Sequence, residues 1–268
     1  MAFVSREVFP GVWHITDAMG VCMTLIAGEN AAVLFDCGYG IENVREYVGT
    51  LTDRPVRVLL SHIHHDHALG ARWFSETWML PEDLPYMERY TGLKQREEVR
   101  KASEARGLVP EGDFLNDPIA VPRELKEEEI DLGGIHVRVI ACPGHTPGSA
   151  AVLVPEYKLL LTGDDWNPCT WVFFPEALGI RAYLKNLREI LLPLAFEKVL
   201  CPHREALYDR KTMEKFADAL TEEAIVNAPP SQTGEAMGIR TAAAVLPEEQ
   251  VIVFDRDKET AERRVTCF

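Results

Sequence analysis

A run of six residues that begins at His62 and reads His-x-His-x-Asp-His constrains this chain more than any other feature of its sequence. It directly follows the apolar segment Arg57–Leu60, which is typical of a short buried strand. Alternate side chains of an extended segment project to the same side, so His62 and His64 face one point, while Asp66 and His67 follow at a bend and face a second. Imidazole and carboxylate groups are ligands for Zn²⁺, and also for Fe or Mn. The run therefore predicts two adjacent metal positions served by one loop.

Three further candidate ligands stand just after apolar strand patterns. His145 lies in Cys-Pro-Gly-His-Thr-Pro-Gly, Asp164 in Leu-Thr-Gly-Asp, and His203 in Leu-Cys-Pro-His. Glycine and proline beside them permit the tight turns that aim a side chain into a site. Because strand ends converge at a sheet edge, we expect these three residues to join the four of the first loop.

The other histidines and the cysteines are expected to have structural roles. His65 occupies a variable position of the motif and is expected to be exposed or to support its neighbours, and His14 and His136 fall in ordinary strand patterns. Cys142 and Cys201 stand near candidate ligands, but packing is the favoured role for both. The six cysteines form no CxxC pair and are interpreted as reduced thiols: Cys22, Cys37, Cys142, Cys169, Cys201 and Cys267.

The remaining sequence alternates strand and helix patterns. A meander of short strands is expected between Glu7 and Asp36, and helical periodicity appears near Ile41–Leu51, Ile180–Leu191 and Met213–Leu220. This mixture indicates the α/β (α+β) class, in which helices cover sheets. A final strand, Val251–Phe254, is expected to close a sheet edge. Residues 81–129 are densely charged and are interpreted as a helical insertion, either a solvated surface feature or a cap over the substrate.

Composition limits the partners. The chain has 268 residues, 28 of them Lys or Arg and 42 Asp or Glu, which gives a formal net charge of −14. That sign disfavours nucleic acid, since phosphate binding needs clustered cations. No apolar run approaches the ~18 residues of a membrane span, and Arg6 and Glu7 interrupt the opening segment. We therefore expect a cytoplasmic protein with a small-molecule substrate and no membrane partner, with the oligomeric state left open.

The chain resembles the metallo-β-lactamase superfamily over roughly Glu7 to His203 and on towards Phe254. Four motifs carry the resemblance, in this order: HxHxDH, PGHTPGS, TGD and a late Pro-His. The resemblance implies a four-layer αββα sandwich, here one domain over residues 1–268 with the insertion at 81–129. It also implies a first metal site from His62, His64 and His145, a second from Asp66, His67 and His203, and Asp164 as the bridging carboxylate.

The function implied by this resemblance is metal-dependent hydrolysis. Two divalent cations, with zinc preferred over iron or manganese, would hold a bridging hydroxide that attacks a small-molecule ester, thioester, lactone or amide. Asp66 is the expected catalytic residue, because its carboxylate could orient the nucleophile or pass its proton onward. Asp36 is expected to hydrogen-bond the HxHxDH loop.

Residues that could line a substrate pocket lie near Asp36 and just after Asp164 in the sequence. Aromatic and polar side chains near Asp164 could contact an apolar part of the substrate, although aromatic residues more generally belong to cores. Tyr86 and Tyr90 of the insertion are weaker candidates for stabilising an oxyanion. The main pocket candidates are Tyr39, Asp165, Trp166, Asn167 and Trp171.

Two other functions remain open. A mononuclear iron oxidoreductase similar to the persulfide dioxygenases would use the first-site histidines and Asp164, and would leave His203 without a role. A ligand-binding effector on the same fold would need no catalysis at all. An exported β-lactamase and a thioesterase of the glyoxalase II type are disfavoured, because no export signal is visible and the segment after His203 stays acidic.

Overall fold

The computed structural model describes residues 3–258, and its first sheet has seven strands in chain order. The first four pair antiparallel, and the last three continue in parallel. Their bounds are β1 (Val4–Phe9), β2 (Val12–Thr16), β3 (Cys22–Ala27), β4 (Ala32–Phe35), β5 (Val56–Leu59), β6 (Trp78–Met79) and β7 (Arg123–Glu124). The expected meander between Glu7 and Asp36 therefore corresponds to β2, β3, β4 and the end of β1.

A second sheet has six strands, in the order β14-β13-β11-β10-β9-β8. Its pairs are antiparallel except β11 with β13, which run parallel. The bounds are β8 (Glu129–Asp131), β9 (His136–Ala141), β10 (Ala150–Val154), β11 (Leu159–Leu161), β13 (Lys198–Cys201) and β14 (Arg204–Asp209).

A small third sheet, in the order β12-β17-β16-β15, was not expected from the sequence. It consists of β12 (Cys169–Val172), β15 (Pro230–Ser231), β16 (Thr241–Leu246) and β17 (Gln250–Asp255). The predicted last strand is thus confirmed as β17, but it pairs with β12 and β16 rather than with an edge of a main sheet.

Seven α-helices lie wholly within residues 3–258, and none of them is long and apolar enough to cross a bilayer. A π-helical turn, Leu187–Leu191, extends α5, and a 3-10 turn, Pro81–Tyr86, precedes α3. The helices are α1 (Val44–Leu51), α2 (His65–Ala68), α3 (Met87–Thr91), α4 (Leu93–Glu104), α5 (Ile180–Asn186), α6 (Arg210–Ala219) and α7 (Glu222–Asn227).

Three apolar layers hold these elements together. Alternation along the strands sends Val33 of β4 and Val152 of β10 into the core between the two large sheets. Leu34, the next residue of β4, faces the opposite side of the first sheet and packs with α1. On the far side of the second sheet, Leu160 packs against Phe216 of α6, in a core that also includes residues of the third sheet. The expected four-layer αββα sandwich is therefore confirmed, and the third sheet adds to its outer layer.

The predicted insertion is helical in part, through α3 and α4, and it packs against the sandwich. Val99 of α4 and Phe114 share a small core with Met19, Ile41 and Leu69. Its end also supplies β7 to the first sheet, because Arg123 pairs with Trp78. The segment is therefore integrated into the fold along its length. That the whole chain is one domain stays a prediction.

Candidate metal centre

The seven candidate ligands lie on loops at the carboxyl ends of four strands, where the two large sheets meet. The first sheet supplies the loop after β5 and the short helix α2, which carry His62, His64, Asp66 and His67. The second sheet supplies the loops after β9, β11 and β13, which carry His145, Asp164 and His203. The structure thus brings together all seven residues singled out in the sequence.

Three histidines form the first cluster. The ligand-type nitrogens of His62, His64 and His145 all lie within 4.8 Å of one another, and the three side chains are buried. His145 Nε2 and His64 Nδ1 are 2.8 Å apart. Three convergent imidazoles are a donor set that Zn²⁺ and related cations accept.

Asp66, His67, Asp164 and His203 form the second cluster, again with ligand-type atoms within 4.8 Å of one another. Oδ2 of Asp164 lies 3.0 Å from His203 Nε2 and 3.5 Å from His67 Nε2. The same oxygen lies 3.6 Å from His145 Nε2 of the first cluster. Asp164 therefore stands between the two clusters, in the position expected of a bridging carboxylate.

The turn that presents Asp164 needs glycine at the preceding position. Gly163 has φ +52°, and a Cβ there would lie 2.8 Å from Cβ of Ser61. Any larger residue would meet the start of the HxHxDH loop and would also strain the backbone. The two loops can approach each other this closely because the Thr-Gly-Asp turn lacks a side chain at its centre.

Asp36 holds the HxHxDH loop, as expected. Its Oδ1 accepts the backbone N–H of Ser61 at 2.7 Å, and its Oδ2 accepts the Ser61 hydroxyl at 2.9 Å. Oδ2 also accepts Nδ1–H of His67 at 2.9 Å, while His62 Nδ1 lies 2.9 Å from the Ser61 hydroxyl oxygen. These contacts fix both rings with Nε2 directed into the clusters.

Two buried carboxylates that sequence reasoning missed also support the site. Oε1 of Glu176 lies 3.0 Å from His64 Nε2. Asp83, in the insertion, accepts the backbone N–H of Ile63 at 3.0 Å, the Thr146 hydroxyl at 2.8 Å and the backbone N–H of Gly148 at 2.7 Å. Asp83 thereby joins the HxHxDH loop to the loop of His145. Neither acid lies in a recognisable motif.

Electrostatics divide the ligands into two groups. Burial lowers the pKa of His62, and it lowers the pKa of His145 to about 4. Both rings are therefore neutral near pH 7, and each can offer a nitrogen lone pair to a metal. Burial opposes a charge on His67, but the carboxylates of Asp66 and Asp164 outweigh burial and raise its pKa. Burial also opposes ionisation of Asp164, yet His203 and His67 hold its pKa well below the usual range. Burial opposes ionisation of Asp66 as well, but His67 holds its pKa well below the usual range. The carboxylates of Asp66 and Asp164 are accordingly ionised and available to a cation.

Unpartnered atoms in both clusters fit a bound metal. His62 Nε2, His67 Nε2 and Asp164 Oδ1 are buried and have no hydrogen-bond partner within the described chain. Buried polar atoms normally find a partner. A divalent cation in each cluster would supply one, and the donors are those that such cations prefer. The residues present therefore fit the metals that the sequence predicts.

A cavity of about 390 Å³ opens above the clusters. His65 lines it, packed edge-on against Tyr39 with ring centres 5.5 Å apart. Of the pocket candidates from the sequence, Tyr39, Asn167 and Trp171 also line the cavity. Phe174, from the aromatic segment after Asp164, lines it as well, and so does Tyr90, a weaker candidate from the sequence. The sequence did not single out Cys169 or Arg204 for this role.

The other two pocket candidates lie elsewhere. Trp166 is fully buried, and its ring meets Tyr208 and Phe216 in the core of the second sheet. Asp165 is buried beneath the His145 loop, where it accepts the backbone N–H of His145 at 3.0 Å, and burial raises its pKa to about 7. Both side chains point into the fold because the 3-10 turn Gly163–Asp165 directs only Asp164 toward the cavity.

Cys142, His14 and His136 take structural positions, whereas Cys169 is exposed and lines the cavity. The five described cysteines are free thiols, and Cys142 donates to Asp165 Oδ2 at 3.0 Å; Cys267 lies outside the described residues. His14 is buried in β2 between the Thr24 hydroxyl and the Arg204 carbonyl. His136 is paired with Glu156 on the surface.

Comparison with known proteins places this geometry in a family. The model of the metallo-beta-lactamase superfamily matches residues 17–189, which is more than half of the chain. An acyl-coenzyme A thioesterase, MBLAC2, from Gallus gallus is 26% identical over 67% of this chain and 70% of its own length. "Probable metallo-hydrolase YqgX" from Bacillus subtilis (strain 168) is 26% identical over 65% of this chain and 76% of its own length.

A solved structure shows the same fold. The sec-alkylsulfatase Pisa1 from Pseudomonas sp. superposes with a TM-score of 0.61 at 17% sequence identity and covers 80% of this chain. This chain spans only 41% of that protein's length, so the likeness concerns the fold alone. Together with the two clusters of ligand-type side chains, the family match leads to one conclusion: the chain belongs to the metallo-beta-lactamase superfamily and is one of its metal-dependent hydrolases.

Proposed function

We propose that this enzyme uses two divalent cations, preferably zinc, to hydrolyse an ester, thioester, lactone or amide bond in a small molecule. The position of the Asp164 carboxylate is the observation that carries the proposal, since Oδ2 lies within 3.6 Å of imidazole nitrogens of both clusters. A single metal site would leave His203, 3.0 Å from Asp164, without a role. The mononuclear iron alternative is therefore less well supported.

The chain's residues have separate tasks in this mechanism. His62, His64 and His145 would hold one cation, Asp66, His67 and His203 the other, and Asp164 would contact both. When bound, such cations lower the pKa of water to about 7 and polarise the bond to be cleaved. Oδ2 of Asp66, 3.4 Å from His67 Nε2 and 3.6 Å from His203 Nε2, would orient the attacking water and accept its proton.

The cavity walls favour a substrate with an apolar part beside the first cluster. Tyr90 and Phe174 pack on the His64 ring at 4.3 and 4.5 Å between ring centres. Trp171 is 41% exposed at this cavity, which is unusual for so large an apolar side chain. An apolar group of the substrate would cover that exposed surface, and its burial would contribute binding free energy.

The cavity wall beside His203 carries a positively charged side chain, that of Arg204. Among residues 3–258 no carboxylate lies within 4.0 Å of the Arg204 guanidinium, which donates to the His203 carbonyl at 2.8 Å. An unpaired arginine at the cavity of a chain with net charge −14 favours a substrate that carries an anionic group.

The same net charge disfavours nucleic acid as the substrate, and the free thiols favour a reducing compartment such as the cytoplasm.

The test combines metal analysis with a panel of substrates. Protein purified without chelators is analysed for bound metal and then assayed against lactones, thioesters, phosphodiesters and β-lactams. We expect two equivalents of divalent metal and turnover of an acyl substrate, both reduced in His64→Ala and Asp164→Ala. His136→Ala, which removes an exposed histidine, is the matched control and should behave as wild type.

Three results would overturn the proposal. One is hydrolysis that persists after metal removal has been verified. The second is one equivalent of iron together with consumption of oxygen and no hydrolysis, which would favour the oxidoreductase. The third is protein that binds no metal and is not stabilised by added Zn²⁺ or Mn²⁺, which would indicate the non-catalytic effector.

A further inference from the structure

The loop between β12 and α5 sends one carboxylate into the wall of the first cluster. The Glu176 side chain is fully buried, and its Oε1 accepts hydrogen bonds from His64 Nε2, at 3.0 Å, and from the Tyr90 hydroxyl. Its Oε2 lies 3.4 Å from a guanidinium nitrogen of Arg89. A buried carboxylate is costly unless its oxygens are paired, and these three donors pair both of them.

His64 differs from the other histidines of the site in the atom that it presents. His62 and His67 have their Nδ1 atoms held by Ser61 and Asp36, and so present Nε2. His64 instead presents Nδ1, which lies 2.8 Å from His145 Nε2, because its Nε2 is directed at Glu176. The hydrogen bond to Glu176 therefore fixes both the ring orientation and the tautomer, with the proton on Nε2 and the lone pair of Nδ1 free to bind.

Tyr90 connects this carboxylate to the insertion. It belongs to α3, and its ring packs on His64 at 4.3 Å between centres while its hydroxyl reaches Glu176. Tyr90 is 5% exposed, and Arg89 precedes it on the same helix. Helix α3 is thus attached to the candidate ligand His64 through a buried contact. This contact argues against α3 acting as a mobile cap over the cavity.

We propose that Glu176 is a positioning residue that holds His64 with Nδ1 directed into the first cluster, and that Tyr90 holds Glu176, so that helix α3 of the insertion is a fixed part of the metal centre. This inference rests on the proposed metal-dependent function. It assigns roles to two residues that are not among the seven candidate ligands.

The test measures metal affinity and the tautomer of His64 in the full-length protein. Stepwise Zn²⁺ affinities are determined by competition with a chromophoric chelator for wild type, Glu176→Gln and Tyr90→Phe. We expect Glu176→Gln to weaken one of the two affinities by about 10–100-fold and to leave the other within about threefold. Tyr90→Phe should weaken the same step by a smaller factor. Glu128→Gln, which alters a surface pair with Arg57, and Tyr157→Phe are matched controls.

A second measurement separates positioning from a general structural role. Long-range ¹H–¹⁵N spectra of the histidine rings report which nitrogen carries the proton, and we expect His64 protonated at Nε2 in wild type and a mixture of tautomers in Glu176→Gln. Unchanged affinities and an unchanged His64 tautomer in a folded Glu176→Gln protein would overturn the inference while leaving the proposed function intact. If Glu176→Gln does not fold, the Tyr90→Phe variant decides the role of Tyr90 and α3. Zn²⁺ affinities of Tyr90→Phe equal to those of wild type would overturn that role. Wild-type protein that binds no metal would overturn both proposals.

Discussion

Asp36 accepts a hydrogen bond from Nδ1 of His67 over 2.9 Å, between two side chains that are both almost fully buried. The same carboxylate accepts two hydrogen bonds from Ser61, which precedes the first histidine of the motif. Asp36 has φ +66°, a conformation that asparagine tolerates better than most residues. Asparagine can therefore replace it without disturbing the backbone.

Asp36→Asn should weaken metal binding by about 10–100-fold. The neutral amide has no negative charge to accept the hydrogen bonds from His67 Nδ1–H and from Ser61 that orient the loop. Metal affinity by chelator competition is the measurement, with unfolding in urea to confirm that the variant is folded. Asp131→Asn, which changes an exposed acid, serves as the control. Equal affinities for wild type and Asp36→Asn would show that the loop holds its histidines without this carboxylate.

Arg204→Met should raise KM for an anionic substrate by about 10-fold, since a hydrogen bond to a charged group contributes about 1.5 kcal/mol. KM for a neutral substrate with the same acyl group should change little. Steady-state kinetics on such a pair of substrates makes the comparison, and Arg54→Met, on the surface, is the control. An equal rise of KM for both substrates would mean that Arg204 shapes the cavity rather than recognising charge.

Asp83→Ala should lower the free energy of unfolding by about 3 kcal/mol or more, because three buried donors lose their acceptor at a cost of about 1–3 kcal/mol each. The donors belong to the loops of His64 and His145, so metal affinity should fall as well. Urea unfolding of the metal-free protein isolates the first effect. Asp53→Ala, whose side chain is 89% exposed, should be neutral, and a neutral Asp83→Ala would refute the argument.

His14 should make stability fall as the solution is acidified. Burial lowers its pKa, while its neutral form accepts from the Thr24 hydroxyl and donates to the Arg204 carbonyl. The unfolded chain therefore binds the proton first, and the stabilisation is complete above the unfolded pKa of about 6.5 and is lost as pH falls towards the folded value. Urea unfolding between pH 7 and pH 5 should show a shallower loss in His14→Asn than in wild type.

His136 provides a control of opposite sign for that experiment. Its hydrogen bond to Glu156 raises its pKa, so its contribution is present below about pH 6.5 and is lost as pH rises through the folded value. His136→Asn should consequently steepen the loss on acidification. The same direction of change in both variants would contradict the assignment of the two environments.

The elements that carry the candidate ligands could be predicted because their signals are local. Strands β5, β9, β11 and β13 appeared as apolar runs, and each candidate ligand follows such a run within a few residues. The helices α1, α5 and α6 appeared through their periodicity, since one face of each is buried. In these segments, local pattern and tertiary packing agree.

Long-range contacts explain what the sequence could not predict. Glu176 reaches His64 across 112 positions of the chain, and Asp83 reaches Gly148 across 65, so no spacing rule connects them. Trp166 follows Asp164 by two residues, but the turn between them sends its ring into the core, and only the fold determines that direction. Strands of two residues such as β15 are too short to leave a pattern.

The candidate ligands come from both large sheets, four from the loop after β5 and three from the loops after β9, β11 and β13. A cation bound in either cluster would consequently cross-link the amino-terminal and the carboxyl-terminal half of the sandwich. Separate polypeptides for the two halves would each carry an incomplete set of donors. Reassociation of such fragments should therefore become tighter as the free zinc concentration rises.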